Sequence, residues 1–422
     1  MLLFLQKTNK SMDNLLKDKN ILLGITGGVA LYKICDLIRK LKAEEANVKV
    51  ILSSGAEEFA RPVLFSSLSG NETFTNADFF KPTGRILHIE LAKFPDLILI
   101  APATASFLSK LATGQASELL LATLIASKAP TYIFPSMNTN MWEHPATQEN
   151  IKKLKNYGYF IYEPSEGKLA CQSVGKGRLP EIEEILETIK AHFIKKTLKG
   201  KKVLITGGPT REYIDEVRFI TNDSSGKMAF YLAKGAYYRG AEVHLIWGLK
   251  DFPYILPNLE YISSIPFPKI YFVRTTKEMF EISQRVFPEC NIAIFASAPC
   301  DFRPKNIFKG KLKKTKSLTL ELELTEDIAK TLGTNKRADQ ITIGFALEEP
   351  DKLETYAQIK KKEKNFDIII ANPLTTMGKE TSDFIIFTSK DKLVFKDISK
   401  MQLAQFLFDF LGSYVQRGSS SK

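Results

Sequence analysis

The chain has 422 residues and 59 Lys+Arg against 47 Asp+Glu, a net charge of +12 that favours anionic or phosphorylated partners. No run reaches the roughly 18 uninterrupted apolar residues of a bilayer span, so a membrane protein is excluded and a soluble one predicted. Cys35, Cys171, Cys290 and Cys300 form no CxxC pair, and His88, His144, His192 and His244 no chelating pair, so reduced thiols in a cytoplasmic protein are expected and structural zinc is not.

Residues 1–19 carry an apolar run too short for a signal peptide and read as an N-terminal extension. Beyond them, apolar β-rich runs alternate with amphipathic stretches, the pattern of βαβ units around mainly parallel sheets covered on both faces. The predicted class is α/β, with two Rossmann-like three-layer domains because the length exceeds one core. In the first, at residues 20–198, strands are predicted at 21–25, 48–52, 97–100 and 131–134, with helices at 29–41 and 119–126.

Polar groups cluster where these strands end. Thr26-Gly27-Gly28 lets backbone amides approach a phosphate at a helix N-terminus, although a tight turn without ligand has the same sequence. It is not the GxGxxG fingerprint, which favours a mononucleotide over NAD. Ser53 follows the second strand, and Ala103, Thr104 and Ser106 follow the third. His88 lies in RILHIEL, where alternation with Ile86 and Glu90 predicts the polar face of a short strand or turn; on its own a lone histidine is more often structural than catalytic. Asn138, in PSMNTNMW, places an amide after the fourth strand. Cys171 sits in EGKLACQSVGKGRLPE, a glycine-rich basic flap whose charge favours a thiolate.

The second domain is predicted at 199–412, with strands at 203–206, 242–247, 292–296, 341–345, 368–371 and 384–387, and residues 413–422 as a flexible tail. It opens on KVLITGG, echoing LLGITGG of the first half. Gly208, Ser225 and Lys227 offer amides, a hydroxyl and an ammonium to phosphates, though no Walker motif is present. Lys311 belongs to a lysine run before the alternating stretch LTLELEL, and Lys360 and Lys364 stand four apart on one helical face. A lysine run like the first is more often a solvated edge.

In order and spacing, ITGGVALYK, LHIEL, APATASFLSKLATGQASELL, PSMNTNMW with HPATQ, and ACQSVGKGRLPE resemble the FMN-dependent phosphopantothenoylcysteine decarboxylases over nearly all of residues 20–190. The resemblance implies a flavodoxin-like domain holding FMN at Gly27, Gly28, Ser53, Ala103, Thr104 and Ser106. His88 would serve oxidation and decarboxylation, Asn138 would bind the substrate carboxylate, and Cys171 would be the acid of the final reduction. An uncharged amide suits this task, because it orients a carboxylate without the charge stabilisation that opposes its loss. Trimers with flavin between subunits, assembling into dodecamers, are also implied.

ITGGPTREYIDEVRFITNDSSGKM, ASAPCDFRPK, KLKK, GFALE and KNFDIIIAN resemble the phosphopantothenate-cysteine ligase domain fused to that decarboxylase. The resemblance implies CTP and a divalent cation, Mg2+ or Mn2+, with an acyl cytidylate attacked by the amine of L-cysteine. Asn222 would meet the acyl cytidylate, Asp301 and Phe345 would line the nucleoside pocket, Lys311 would serve the second half-reaction, and Lys360 and Lys364 would contact the triphosphate. No residue is assigned to the metal. The substrates would be 4'-phosphopantothenate, L-cysteine, CTP and phosphopantothenoylcysteine, with no nucleic acid, no membrane, and ligase-domain dimers; the Pro- and aromatic-rich stretch 251–274 has no clear counterpart in the family and reads as a dimer arm. Departures are Gln172 after the flap cysteine, Ser117 and Glu118 for two aspartates, and Pro299, Cys300 and Phe302 in ASAPCDFRP. Rival readings are a flavin-fold enzyme of another class, a peptidyl-cysteine decarboxylase or prenyltransferase-like protein, and a noncatalytic binding subunit.

Overall fold

The computed structural model describes residues 15–419 apart from 83, 170, 171, 173, 315, 316, 377 and 378; side chains at 262, 376 and 413–419 are likewise left undescribed. Cys171 therefore lies outside the described residues. The chain forms two compact units, Asn14–Phe193 with Ile255–Ser264, and Ile194–Tyr254 with Ile265–Lys422. A ten-residue stretch from the second half of the sequence is thus part of the first unit.

The first unit is built on strands β1 (Asn20–Ile25), β2 (Asn47–Leu52), β3 (Thr73–Phe74), β4 (Leu97–Ala103), β5 (Thr131–Pro135) and β6 (Phe160–Ile161). They pair in the order β3-β2-β1-β4-β5-β6, all parallel. Buried Ile21, Leu23, Val48, Val50 and Leu97–Ala103 explain the unbroken apolar runs, because both faces of a parallel sheet are covered. The helix Ile34–Ala43 turns Ile34, Leu37, Ile38 and Leu41 inward at helical spacing. The single helix expected at 29–41 instead begins as a 3-10 turn, Val29–Lys33, because the Leu31 amide bonds the Gly28 carbonyl three residues back. Leu119–Ala126 is a helix whose residues from Leu119 to Leu124 are all buried, consistent with its apolar circumference. A small antiparallel hairpin, β7 (Ser165–Lys168) and β8 (Val174–Arg178), follows the sheet.

The second unit has an eight-stranded sheet. Its members are β9 (Lys202–Pro209), β12 (Glu242–Trp247), β13 (Lys269–Phe272), β14 (Ile292–Ala298), β17 (Ile341–Glu348), β18 (Ile368–Pro373), β19 (Thr381–Phe387) and β20 (Lys392–Ser399), in the order β13-β12-β9-β14-β17-β18-β19-β20. The first six run parallel and the last two close the edge antiparallel. Two short ribbons lie outside it, β10 (Arg211–Tyr213) with β11 (Phe219–Thr221), and β15 (Phe302–Pro304) with β16 (Leu322–Leu324). Only three residues of the alternating LTLELEL pair as a strand, all of them exposed, because it has just one short partner.

The last helix runs over Lys400–Ser419, and Leu403, Leu407, Phe408 and Leu411 recur in it at helical spacing and are fully buried.

Candidate active sites

In the first sheet, strand order reverses between β1 and β4, the place where an open α/β sheet leaves a crevice at its carboxyl edge. A cavity of about 560 Å³ lies there, lined by Thr26, Gly27 and Gly28 after β1, Ser53 to Gly55 after β2, Thr104 to Phe107 after β4, and Ser136 to Asn138 after β5. Thr26 ties the central ends together: its hydroxyl donates to the Pro102 carbonyl at 2.7 Å and accepts from the Thr104 amide at 3.0 Å. Gly27 is required by close approach, since a Cβ there would stand 2.5 Å from the Gly55 carbonyl oxygen.

Ser53 and Thr104 each cap a helix, accepting from Ala56 N and Phe107 N. Asn138 does the same for the short helix Thr139–Glu143, its Oδ1 accepting from Asn140 N at 2.9 Å. The cap fixes the amide at the cavity wall. Behind it, the Met137 amide donates to the Gly177 carbonyl at 3.0 Å, which ties the Asn138 connection to β8.

The structure thus brings Gly27, Gly28, Ser53, Thr104, Ser106 and Asn138 to one cavity. Ala103 stands beside it: the side chain is fully buried in the core and the carbonyl accepts from Ser136 N. His88 is not among the lining residues. Nor is it on a strand or turn, as the alternation suggested. It lies in the helix Leu87–Lys93, half-buried, its ring edge-on to Phe79 at 5.5 Å. Leu87 and buried Leu91, four apart, pack on the core, and that helical spacing overrides the short alternation.

Lys110 and Glu118 also line the cavity and form an ion pair; Glu118 was noted from sequence only as a departure from the family's aspartates, and Lys110 was not singled out. Ser106 and Lys110 are four apart in one helix, a spacing from which Lys110 was recoverable.

In the second unit the order reverses at β9, between β12 and β14. Gly208 stands at the end of β9 with a φ of 77°, and Gly226, with a φ of 70°, starts the helix Lys227–Tyr238. A Cβ on Gly226 would meet the Trp247 ring at 2.4 Å. Ser225 Oγ accepts from Lys227 N at 3.4 Å, while the Lys227 ammonium pairs with Glu380.

Asn222 is held beside the end of β14, its amide donating to the carbonyls of Ala298 and Pro299 at 3.2 and 2.9 Å. The inserted Cys300 is a buried junction. Its amide donates to Thr210 Oγ1 and its carbonyl accepts from Thr325 Oγ1, so the altered ASAPCDFRP segment is anchored, and burial pushes its thiol up. Asp301 next to it is exposed, and Phe345, half-buried, lies in β17.

Lys360 lies in the last turn of the helix Leu353–Glu363, and Lys364 is the C-cap residue, its Nζ 3.0 Å from Asp327. Burial, and then the charge of Lys364, holds the Lys360 ammonium below the ordinary lysine range, against the pull of Glu348, Asp301 and Asp327. Asp301, Lys360 and Lys364 therefore share one electrostatic neighbourhood.

Lys311 is exposed in an irregular segment tied down by a residue that drew no sequence-based role. Fully buried Asp215 accepts from Val217 N and Arg218 N at 2.7 Å through one oxygen and from Leu312 N at 3.1 Å through the other. Burial pushes its carboxyl up, but these three amides outweigh it, so the group is held below the usual carboxylate range. Among the described residues no group of three or more His, Cys, Asp or Glu is arranged to hold a metal ion, and no helix is long and apolar enough to cross a membrane.

Comparison with known proteins matches both halves. Residues 9–194 match the Flavoprotein family, and residues 198–414 match the DNA/pantothenate metabolism flavoprotein C-terminal domain. The chain is 42% identical over 393 residues to the coenzyme A biosynthesis bifunctional protein CoaBC of Bacillus subtilis (strain 168), covering 92% of this chain and 93% of the relative. With the protein of the same name from Borreliella burgdorferi it shares 37% over 398 residues, covering 94% and 99%. A crystal structure of the C-terminal domain of a CoaBC protein is 32% identical and covers 53% of this chain and 100% of its own, with a TM-score of 0.44. The chain belongs to the bifunctional coenzyme A biosynthesis family, which joins a flavoprotein phosphopantothenoylcysteine decarboxylase to a phosphopantothenoylcysteine synthetase.

Proposed function

We propose that the second unit joins L-cysteine to 4'-phosphopantothenate at the expense of CTP, and that the first unit, with FMN in its switch-point cavity, decarboxylates the product to 4'-phosphopantetheine. The observation that carries the reading is the convergence of the Thr26-Gly27-Gly28 turn, the capping hydroxyls of Ser53 and Thr104, and the amide of Asn138 on one cavity. A turn at Gly27 where a Cβ would stand 2.5 Å from the Gly55 carbonyl oxygen, next to hydroxyls and helix starts, fits a phosphorylated flavin. Bound flavin supplies two-electron chemistry that the side chains lack. Asn138 orients the departing carboxylate, and Cys171 provides the closing proton.

His88 acts from another copy of the chain, because it does not line this copy's cavity and its surroundings are open and apolar: Phe80 is 84% and Ile86 63% exposed. A homo-oligomer with flavin between subunits, of the trimer-based kind, accounts for both observations. Free Cys290 and Cys300, both buried, suit a reducing cytoplasm.

In the second unit Gly208, Ser225 and Lys227 meet phosphates, Asp301 and Phe345 the nucleoside, and Lys360 and Lys364 the triphosphate. Exchanging Glu380 for phosphate lets the Lys227 ammonium serve the nucleotide. Since no such cluster is arranged among the described residues, Mg2+ would arrive with the triphosphate and take one or two carboxylates. The substrate carboxylate displaces pyrophosphate from CTP, and the cysteine amine then displaces CMP. Without cysteine, pyrophosphate release should require both CTP and 4'-phosphopantothenate; release that ignores 4'-phosphopantothenate in a colorimetric phosphate assay would contradict the order.

A further inference from the structure

The stretch Ile255–Ser264 is encoded in the second half but belongs to the flavoprotein unit. It is anchored there: Leu256 and Leu259 are buried, and the Asn258 amide donates to the Tyr162 hydroxyl at 2.6 Å. That hydroxyl in turn donates to Glu184, so one buried side chain, 1% exposed, joins three elements. The Tyr261 ring meets the Tyr162 ring edge-on at 5.2 Å and 76°, and Tyr162 packs on Phe134 at 5.3 Å.

Phe134 lies in β5, four residues before Asn138. Tyr261 also stands in the electrostatic neighbourhood of Glu163 and Lys176, which pair with each other. Lys176 is in β8 immediately before Gly177, whose carbonyl takes the Met137 amide. Gly177 itself admits no side chain, since a Cβ would lie 2.2 Å from the Met137 carbonyl oxygen. Two short routes therefore run from Tyr261 to the connection bearing Asn138, one through the packed rings and β5 and one through the ion pair and β8.

We propose that Ile255–Ser264 is a positioning element of the decarboxylase site, acting through Tyr261 to hold β8 and the Met137–Asn138 connection in register. This rests on the role given above to Asn138. Packed aromatic pairs of this geometry stabilise a contact beyond the area they bury. Their loss loosens the wall that carries the amide, and small misplacements at a reacting centre are costly in rate.

The test uses the full chain with FMN bound. Tyr261→Ala should lower kcat for decarboxylation of phosphopantothenoylcysteine by about tenfold with KM little changed, leave ligation at the wild-type rate, and speed amide exchange in β7, β8 and residues 136–138. Tyr261→Phe, which keeps the ring, should restore both readouts. Wild-type exchange and kcat in Tyr261→Ala overturn the proposal, as does an equal loss of both activities or a defect that Tyr261→Phe does not mend. If the wild-type chain decarboxylates nothing, the reading of the site has failed, and the exchange measurement alone still decides the role of the segment.

Discussion

Asn138→Asp is expected to leave the fold intact and to cut decarboxylation by roughly a hundredfold or more, because like charges facing each other across a site cost several kcal/mol. Aspartate and asparagine cap helices about equally well, so the bond from Asn140 N, 2.9 Å long in this chain, survives the change. What changes is the face offered to the substrate, where an NH2 donor becomes a negative oxygen turned towards a carboxylate. The measurement is CO2 release from phosphopantothenoylcysteine, with thermal unfolding and flavin absorbance as controls. Unchanged Tm and flavin content with activity lost is the expected outcome. Unimpaired CO2 release would remove Asn138 from the carboxylate site.

Lys311→Gln should suppress amide formation by about 10²–10³-fold, the range for removing one preorganised partner of developing charge, while pyrophosphate release persists. The structure gives the reason to expect a clean result. Lys311 is exposed, and its segment is held by Asp215 through the Leu312 amide, so the substitution removes an ammonium without disturbing an anchor. Acyl cytidylate should then accumulate and be visible by mass spectrometry. Equal loss of both half-reactions would place Lys311 in nucleotide binding instead.

The parallel strands and the turns that follow them were legible because they are built from local sequence. An apolar run covered on both faces must read as continuous hydrophobicity, as 97–103 does, and a turn that brings backbone against backbone must be glycine, as at Gly27. The apolar helix Leu119–Ala126 was readable for the same reason. His88 was misplaced because three alternating residues fit a strand or one turn of helix, and only the Leu87 and Leu91 packing decides between them. Two strands of the second sheet escaped notice, β13 among prolines and aromatics and β20 with a broken alternation, since each acquires its structure from a neighbouring strand. Neither Asp215 nor the attachment of Ile255–Ser264 to the first unit is written in local pattern. Both depend on partners distant in sequence, and Asp215 meets Leu312 across 97 positions.

One chain carries out two consecutive reactions. The most direct test is to incubate the purified, FMN-loaded protein with 4'-phosphopantothenate, L-cysteine, CTP and Mg2+ and to follow the products by mass spectrometry. Phosphopantothenoylcysteine should appear first and give way to 4'-phosphopantetheine, with CMP, pyrophosphate and CO2 formed in equal amounts. Decarboxylation of cysteine or of a peptidyl cysteine, with no CTP-dependent coupling to 4'-phosphopantothenate, would contradict the account.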